Sequence, residues 1–464
     1  MKHISKYFFV MMLFFLSCSP KKEQADMIVY NAVVYTADSS MSVKEAFAVK
    51  NGKILSVGTD DDILLRYDAK EKIDARGKAL FPGFIDAHCH FLNYGLSLQR
   101  VNLVETKSFD EVIGRVVEFS KTNKSEWITG RGWDQNDWTV KEFPSKAKLD
   151  SLFPDTPVFL KRIDGHAALV NSEALHRANI TEKTKVNGGM VEIKNGKLTG
   201  ILIDNAADLI ANIIPPPSNE KIKNALLSAQ QNCFAVGLTT VDDAGLEKEV
   251  IDIIDSMQQN GKLKMRVYAM LSDSKKNLDH YLQHGIYKTE RLNVRSFKFY
   301  ADGSLGSRGA CLLQSYSDKP QHQGFLVNKK EYYIEMAQKM FEKGFQMNTH
   351  CIGDSGVRYI LNTYKKIFTD YLSKQNADTI YLDSRWRIEH FQTTTQSDIL
   401  VLASLKSKNN IIPSVQPAHA TSDMYWAKDR LGEERVKYAY SYNDLLKTTG
   451  IVALGTDFPV EDIN

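Results

Sequence analysis

The chain has 464 residues, of which 43% are hydrophobic and 25% are charged, which are ordinary values for globular proteins. This length allows a large core and more than one domain. The net charge is only +3 and the basic residues are scattered, which excludes the concentrated basic surface of a nucleic-acid-binding protein. Five cysteines without a CxxC pair argue against a disulfide scaffold or a structural zinc knuckle.

The first 18 residues have the pattern of a bacterial lipoprotein signal peptide. An apolar run from Tyr7 to Leu16 follows two lysines, and it is shorter than the about 20 residues that span a bilayer. The segment FLSC resembles a lipobox, in which Cys18 would carry the lipid. We therefore expect a signal peptide over 1–18, a tether over 19–26, and a membrane-anchored lipoprotein of the bacterial cell envelope that faces the periplasm or the cell surface. Cleavage elsewhere, to a soluble secreted form, is the alternative.

Residues 27–80 show the pattern of short β-strands, such as MIVYNAVVYT and KILSVG. Asn51-Gly52 between two of these strands is a strong signal for a two-residue hairpin. The pattern predicts a small β-sandwich that precedes the main domain, which we place at residues 81–464.

In the main domain, short apolar segments alternate with helical stretches. Such alternation is typical of βα units, and eight strands predict an α/β fold of the closed (β/α)8, or TIM-barrel, type. The predicted strands are 83–90, 237–243, 264–271, 294–300, 345–350, 386–391, 411–416 and 451–457. Residues 91–236 are too long for one connection and predict a subdomain inserted after the first strand. Ser218 is predicted to cap the helix that ends near Ala235.

Residues suited to metal binding stand near the carboxyl ends of five predicted strands. They are His88 and His90 on the first strand, Lys298 on the fourth, His350 on the fifth, His390 on the sixth and Asp457 on the eighth. Because the carboxyl ends of barrel strands converge on one mouth, these side chains are expected to meet there. Neutral imidazoles are good zinc ligands, so the pattern predicts a metal site.

The alternation of side chains along the strands supports this prediction. His88 and His90 share one face of their strand, since alternate residues point the same way. In VRSFKFY, Lys298 shares a face with Ser296. Phe297 and Phe299 point to the other side, towards the expected helix layer.

The chain resembles the amidohydrolase superfamily, and within it the amidohydrolase-3 group of YtcJ-like hydrolases. The segments that carry the resemblance include FPGFIDAHCHF, GRGWDQNDW, RIDGHAALVNSEAL, KFYADGSLGSRGA, NTHCIGD, RIEHFQ and GTDFPVE. They occur in the order of the family, from about residue 27 to the end of the chain. The resemblance implies a β-sandwich with a (β/α)8 barrel and one or two divalent metal ions at the barrel mouth, zinc being the expected ion.

The resemblance also implies a role for each ligand. His88 and His90 would bind the more buried metal, and His350 and His390 would bind the second. Lys298 matches a position that many members of the superfamily carboxylate, so that it bridges two metals. The alternative is an unmodified Lys298 that acts as a simple cation beside a single metal.

The remaining roles concern catalysis and the substrate. Asp457 would contact the first metal, accept a proton from the metal-activated water and pass it to the leaving amine. His166, in the insertion, would hydrogen-bond the substrate carbonyl or oxyanion. Trp133 and Trp138 would either wall the pocket or fill the core of the subdomain, and Arg308 would contact an anionic group of the substrate.

Together these features predict a hydrolase that cleaves a non-peptide, amide-type carbon–nitrogen bond of a small molecule with a metal-activated hydroxide. Two alternatives stay open: a lactonase, esterase or phosphotriesterase on the same site, and a lipid-anchored binding protein without catalysis. The sequence does not choose a substrate, a metal or an oligomeric state. The chain ends seven residues after Asp457, before the last helix and strands of the family, and we expect it to be a fragment.

Overall fold

The computed structural model describes residues 21–123, 126–163, 165–186, 189–374, 382–405 and 409–464. The predicted signal peptide and its Cys18 lie outside these residues. The chain divides into two compact units, Met1–Phe84 and Ile85–Asn464. Across the described residues, no helix combines the length and the apolar character that crossing a membrane requires.

The described residues of the first unit, from residue 21 onwards, form two small sheets and one helix. Its elements are β1 (Glu23–Tyr30), β2 (Val33–Tyr35), β3 (Val43–Lys44), β4 (Ala46–Lys50), β5 (Lys53–Gly58), α1 (Asp60–Arg66), β6 (Tyr67–Asp74) and β7 (Ala79–Leu80). The strand orders are β5-β4-β1-β6 and β3-β2-β7. The predicted hairpin at Asn51-Gly52 is confirmed: both residues have positive φ, 52° and 70°, as a type I′ turn requires.

The second unit contains the remaining strands. They are β8 (Phe84–Cys89), β9 (Val101–Asn102), β10 (Ile128–Trp133), β11 (Val158–Arg162), β12 (Ala167–Val170), β13 (Gly189–Lys194), β14 (Lys197–Asp204), β15 (Leu238–Leu246), β16 (Arg266–Ser272), β17 (Tyr287–Lys288), β18 (Leu292–Tyr300), β19 (Gln346–Cys351), β20 (Leu382–His390), β21 (Asn409–Val415) and β22 (Ala453–Leu454). Eight of them form the barrel sheet in the order β8-β15-β16-β18-β19-β20-β21-β22.

Helices follow the barrel strands and also occur in the insertion. They are α2 (Phe91–Ser97), α3 (Phe109–Thr122), α4 (Ala147–Leu152), α5 (Ser172–Arg177), α6 (Asn205–Ala211), α7 (Asn219–Ala235), α8 (Lys248–Gln259), α9 (Lys275–His284), α10 (Lys330–Lys343), α11 (Asp354–Lys374), α12 (Gln396–Leu405), α13 (Pro417–Asp423), α14 (Ala427–Arg435) and α15 (Tyr442–Thr449). The Ser218 hydroxyl accepts a hydrogen bond from Lys221 N at the start of α7, so the predicted cap is confirmed.

Two backbone hydrogen bonds join the last strand segment to the first. Asp457 N donates to His88 O at 2.7 Å, and His90 N donates to Phe458 O at 2.8 Å. Gly455 permits this approach, because a Cβ at that position would lie 2.4 Å from His88 N. The eight strands thus form a nearly closed parallel barrel, and the predicted TIM-type α/β fold is confirmed.

The side chains of β18 show how the sequence directs residues to the two sides of the barrel wall. Phe297 and Phe299 belong to the large apolar core that the strands share with the surrounding helices. Ser296 and Lys298 are buried on the opposite face. The alternation predicted for this strand is therefore confirmed, and it directs a lysine towards the barrel interior.

Between β8 and β15 the chain forms a further sheet, with the strand order β13-β14-β12-β11-β10-β9. Separate apolar clusters pack on its two sides: Trp133 and Leu160 belong to one, and Trp127 and Phe159 belong to the other. This sheet is the main element of the predicted insertion.

Candidate metal centre

The predicted metal ligands meet at the barrel mouth. The ligand atoms of His88, His390 and Asp457 all lie within 4.8 Å of one another. His90 Nε2 lies 3.2 Å from Asp457 Oδ1, and the ring centroids of His350 and His390 are 4.5 Å apart. Strands that are far apart in sequence thus bring five predicted ligands into one cluster.

Lys298 completes the set of six. Its Nζ lies 3.0 Å from His88 Nε2, and only 1% of the residue is exposed. Burial lowers the pKa of Lys298 to about 8. The neutral amine that reaction with carbon dioxide requires is therefore accessible near physiological pH.

The protonation states suit a divalent cation. Burial, followed by the charge of Lys298, lowers the pKa of His350 to about 3, and burial lowers the pKa of His88 and His390 as well. Burial alone would raise the pKa of Asp457, but the close His90 ring and the charge of Lys298 lower it below its usual value. Neutral imidazoles beside an ionised carboxylate are zinc ligands in their binding states.

The Asp457 carboxylate provides a test of whether the site fits a metal ion. Among the described residues, Asp457 Oδ1 is buried and accepts no well-aligned hydrogen bond, although His90 Nε2 is 3.2 Å away. A buried carboxylate oxygen that is close to a ring nitrogen but not aligned with it for a hydrogen bond is available to a cation that both atoms could bind. The residues therefore fit a metal ion.

A buried chain of polar groups, which the sequence analysis missed, orients His88. Glu389 Oε2 lies 2.5 Å from His88 Nδ1, and Glu389 Oε1 lies 2.7 Å from Arg387 Nε. Arg387 also pairs with Asp242 at 2.7 Å. A carboxylate on Nδ1 fixes the tautomer and ring position of a ligating histidine, which leaves Nε2 free to bind. The signal in the sequence was an acid directly before His390 in RIEHF.

Replacement of Glu389 by glutamine tests this orienting role. We expect Glu389→Gln to weaken zinc affinity by about 10–100-fold, because the neutral amide holds the imidazole less firmly. Competition with a chromophoric chelator would measure the affinity. Glu342→Gln, an exposed position on α10, serves as the control. Equal zinc affinity in Glu389→Gln and the control would contradict the role.

A further histidine beside the cluster was also missed. His419 of α13 is 8% exposed, and its Nε2 lies 3.8 Å from Asp457 Oδ2 and 3.7 Å from Glu461 Oε1. Its ring stacks with His390 at a centroid distance of 5.8 Å. The available signal was its place just after the predicted seventh strand, since residues that follow barrel strands lie at the mouth.

The predicted substrate contacts have mixed outcomes. His166 is exposed in the turn before β12, and its role stays a prediction. Arg308 forms two hydrogen bonds to Asp318, at 3.0 and 2.8 Å, so an anionic substrate would compete with that carboxylate, and this role also stays a prediction.

The two tryptophans of the insertion are buried. Trp133 is 0% exposed, its Nε1 donates to Leu160 O at 2.8 Å, and Trp138 packs beside it. The structure therefore places both tryptophans in the core of the insertion rather than on a pocket wall.

Comparison with known proteins extends these observations. A model of the amidohydrolase family matches residues 71–464. This chain belongs to the amidohydrolase family. It is 30% identical over 447 residues to the putative amidohydrolase YtcJ of Bacillus subtilis (strain 168), covering 94% of this chain and 81% of that protein. It is 26% identical over 392 residues to an N-substituted formamide deformylase of Arthrobacter pascens, covering 79% and 69%.

A solved structure supports the same conclusion. An uncharacterized metal-dependent hydrolase from Pyrococcus furiosus matches with a TM-score of 0.76 and 28% identity, covering 94% of this chain and 86% of that one. The predicted family is thus confirmed, and the chain is a metal-dependent hydrolase of the amidohydrolase family that acts on a small molecule.

For this amidohydrolase, Trp133 offers a test of the core assignment. Trp133→Phe is expected to lower the free energy of unfolding by about 1–3 kcal/mol, because it leaves a cavity and removes the hydrogen bond to Leu160 O. KM is expected to stay unchanged. Urea denaturation and steady-state kinetics would measure both quantities. A raised KM with unchanged stability would instead assign Trp133 to the substrate pocket.

Proposed function

We propose that this amidohydrolase cleaves a non-peptide, amide-type carbon–nitrogen bond. The cluster of His88, His390 and Asp457, with Lys298 beside it, carries the proposal, because it combines metal ligands with a proton acceptor. The similarity to an N-substituted formamide deformylase supports the choice of bond. Zinc is the proposed ion, since imidazole and carboxylate ligands suit it.

The bound metal and the residues of the chain would have different roles in the proposed reaction. A divalent metal supplies a water molecule of lowered pKa and polarises the scissile carbonyl. His88, His90, His350 and His390 would hold it, with a carboxylated Lys298 as the proposed bridge. Asp457, the sixth ligand, is ionised, so its carboxylate can take a proton from the attacking water and return it to the nitrogen of the leaving amine. His166 is proposed to donate a hydrogen bond to the substrate oxygen.

A substrate panel tests the bond type. The zinc-loaded protein would be assayed with N-benzylformamide, an aliphatic lactone, an aryl ester and a phosphotriester. The formamide is expected to give the highest kcat/KM, with release of benzylamine. The His390→Asn variant controls for contaminating hydrolases. Turnover of the lactone, ester or phosphotriester with none of the formamide would overturn the proposed bond type.

We also propose that Cys18 carries a lipid that anchors the protein in the bacterial cell envelope, facing the periplasm or the cell surface. The support is the pattern of the first 18 residues, with two lysines, a short apolar run and FLSC. Expression in a bacterium followed by mass spectrometry is expected to find a mature chain that begins at an acylated Cys18. Cys18→Ser should remain unprocessed. A mature chain that begins elsewhere without a lipid would reject the anchor.

A further inference from the structure

A cleft of about 700 Å³ lies in the second unit, beside the inserted sheet. The sheet contributes its β10 and β11 strands, and the cleft also contacts α2, the end of α6 and the start of α7. None of the residues that line it is a candidate metal ligand. The cleft is therefore distinct from the metal centre.

The register of two strands explains which side chains face the cleft. In the parallel pair of β10 and β11, Thr129 lies opposite Phe159 and Arg131 lies opposite Lys161. Alternate residues share a face, so these four point to the same side of the sheet. Phe159 gives this side an apolar floor, which Trp127 at the edge of β10 and the prolines before α7 extend.

Most of the charged residues that line the cleft are basic. Arg100, Arg131, Lys161 and Lys221 line it, and Glu126 is the acid among the lining residues. Glu126 already forms an ion pair with Arg177 at 3.1 Å. Other basic side chains of the insertion do form ion pairs with carboxylates, as Lys146 does with Asp150 and Lys148 with Asp110.

Two of these cations lack such a partner. Over the described ranges, no carboxylate forms an ion pair with Arg100 or Lys161, and Arg131 donates to the carbonyl oxygen of Ile163. The side chains of Lys161 and Arg131 both extend to Gly165, since a Cβ built there would lie 3.7 Å from Lys161 Cε and 4.0 Å from Arg131 Nη2. Desolvation, followed by the charge of Arg131, lowers the pKa of Arg100.

We propose that this cleft binds an organic anion with an apolar or aromatic body and a carboxylate or phosphate group. Like charges around one cavity repel each other, and an anion would relieve that repulsion through charge-assisted hydrogen bonds. The volume falls in the range of small-molecule sites, and an apolar floor with few polar groups at the rim is their usual composition. The proposal does not depend on the reaction at the metal centre.

Calorimetric titration of the zinc-loaded full chain tests the proposal with three matched probes: naphthoate, naphthyl phosphate and the neutral naphthalenemethanol. We expect one equivalent of an anion to bind, and the neutral alcohol to bind about tenfold more weakly. The tighter of the two anions identifies the acidic group that the cleft prefers.

Variants locate the binding. Arg100→Gln/Lys161→Gln is expected to lose about tenfold or more in anion affinity, because two charge-assisted contacts are removed. Lys121→Gln/Lys194→Gln removes the same charge from exposed positions and should bind as the wild type does. Ala211→Phe, which adds a ring at the cleft wall, should also abolish binding and provides a second measure that leaves the cations in place.

Three results would overturn the proposal. Equal affinity for naphthalenemethanol would identify an apolar gap without anion recognition. Binding that survives in Arg100→Gln/Lys161→Gln but disappears in His390→Asn would place the anion at the metal centre. No binding of either anion would leave the cleft without the proposed ligand class.

Discussion

Asp457→Asn is expected to reduce kcat/KM for the best amide substrate by about 10³-fold, within the range that general acid–base catalysis contributes. The amide cannot take the proton of the attacking water, and no proton is then held for the leaving amine. The side-chain shape is retained, and the backbone bond from Asp457 N to His88 O does not involve the carboxylate. Steady-state kinetics on the zinc-loaded variant would measure the loss.

A matched acid separates this effect from a change of charge. Asp462 lies five residues further on and is exposed, so Asp462→Asn removes one negative charge near the barrel mouth without touching the cluster. Activity of Asp462→Asn is expected to equal that of the wild type. Wild-type activity in Asp457→Asn would show that another group accepts the proton, and His419, at 3.8 Å from Asp457 Oδ2, would be the first to examine.

The barrel could be predicted because each strand carries its own local signal. Period-two alternation in β18 separates Phe297 and Phe299 from Lys298, and the structure keeps that separation. Strand lengths were less accessible: the predicted segment 451–457 contains only the two-residue β22. Its remaining residues contact β8 through Gly455 and Asp457, and such a long-range contact has no local pattern.

At the metal centre, the alternation of side chains along a strand does not predict the orientation of every ligand. His390 has the same parity in β20 as Trp386 and Ile388, which pack in the outer core, yet it joins the metal cluster. Its φ of 72° turns the chain at the strand end, and Asp457 has a comparable φ of 62°. The positions of His390 and Asp457 at the ends of predicted strands identified both ligands, whereas strand parity alone would have directed His390 outwards.

The residues that hydrogen-bond the metal ligands could not be predicted, for a different reason. Glu389 meets His88 across 301 positions of sequence, and the Arg387 that holds it also reaches Asp242. A single acid beside a histidine is common and carries no information about its partner. Only the closed barrel brings the two side chains together.

Zinc content is the second prediction with a large expected effect. The reconstituted protein is expected to bind about two equivalents of zinc per chain, as two-metal sites do. Lys298→Met is expected to bind about one and to lose most of its activity, since it removes the amine that would carry the bridging carboxylate. Elemental analysis of dialysed protein would give the stoichiometry, and carbon-13 NMR after growth with labelled bicarbonate would detect the carbamate.

The position of Lys298 is the reason for expecting that it determines the number of bound metals. Its Nζ lies 3.0 Å from His88 Nε2, and the His390 ring contacts the rings of both His88 and His350, at centroid distances of 4.8 and 4.5 Å. Carboxylation of Nζ would add a carbon that carries two oxygens, and these oxygens could serve as additional metal ligands beside the histidines. Short carboxylic acids such as propionate should then restore the second zinc to Lys298→Ala.

Two outcomes would contradict the two-metal prediction. One equivalent of zinc in both the wild type and Lys298→Met would instead make Lys298 a cation beside a single metal. A folded protein that takes up no zinc would remove the proposed mechanism.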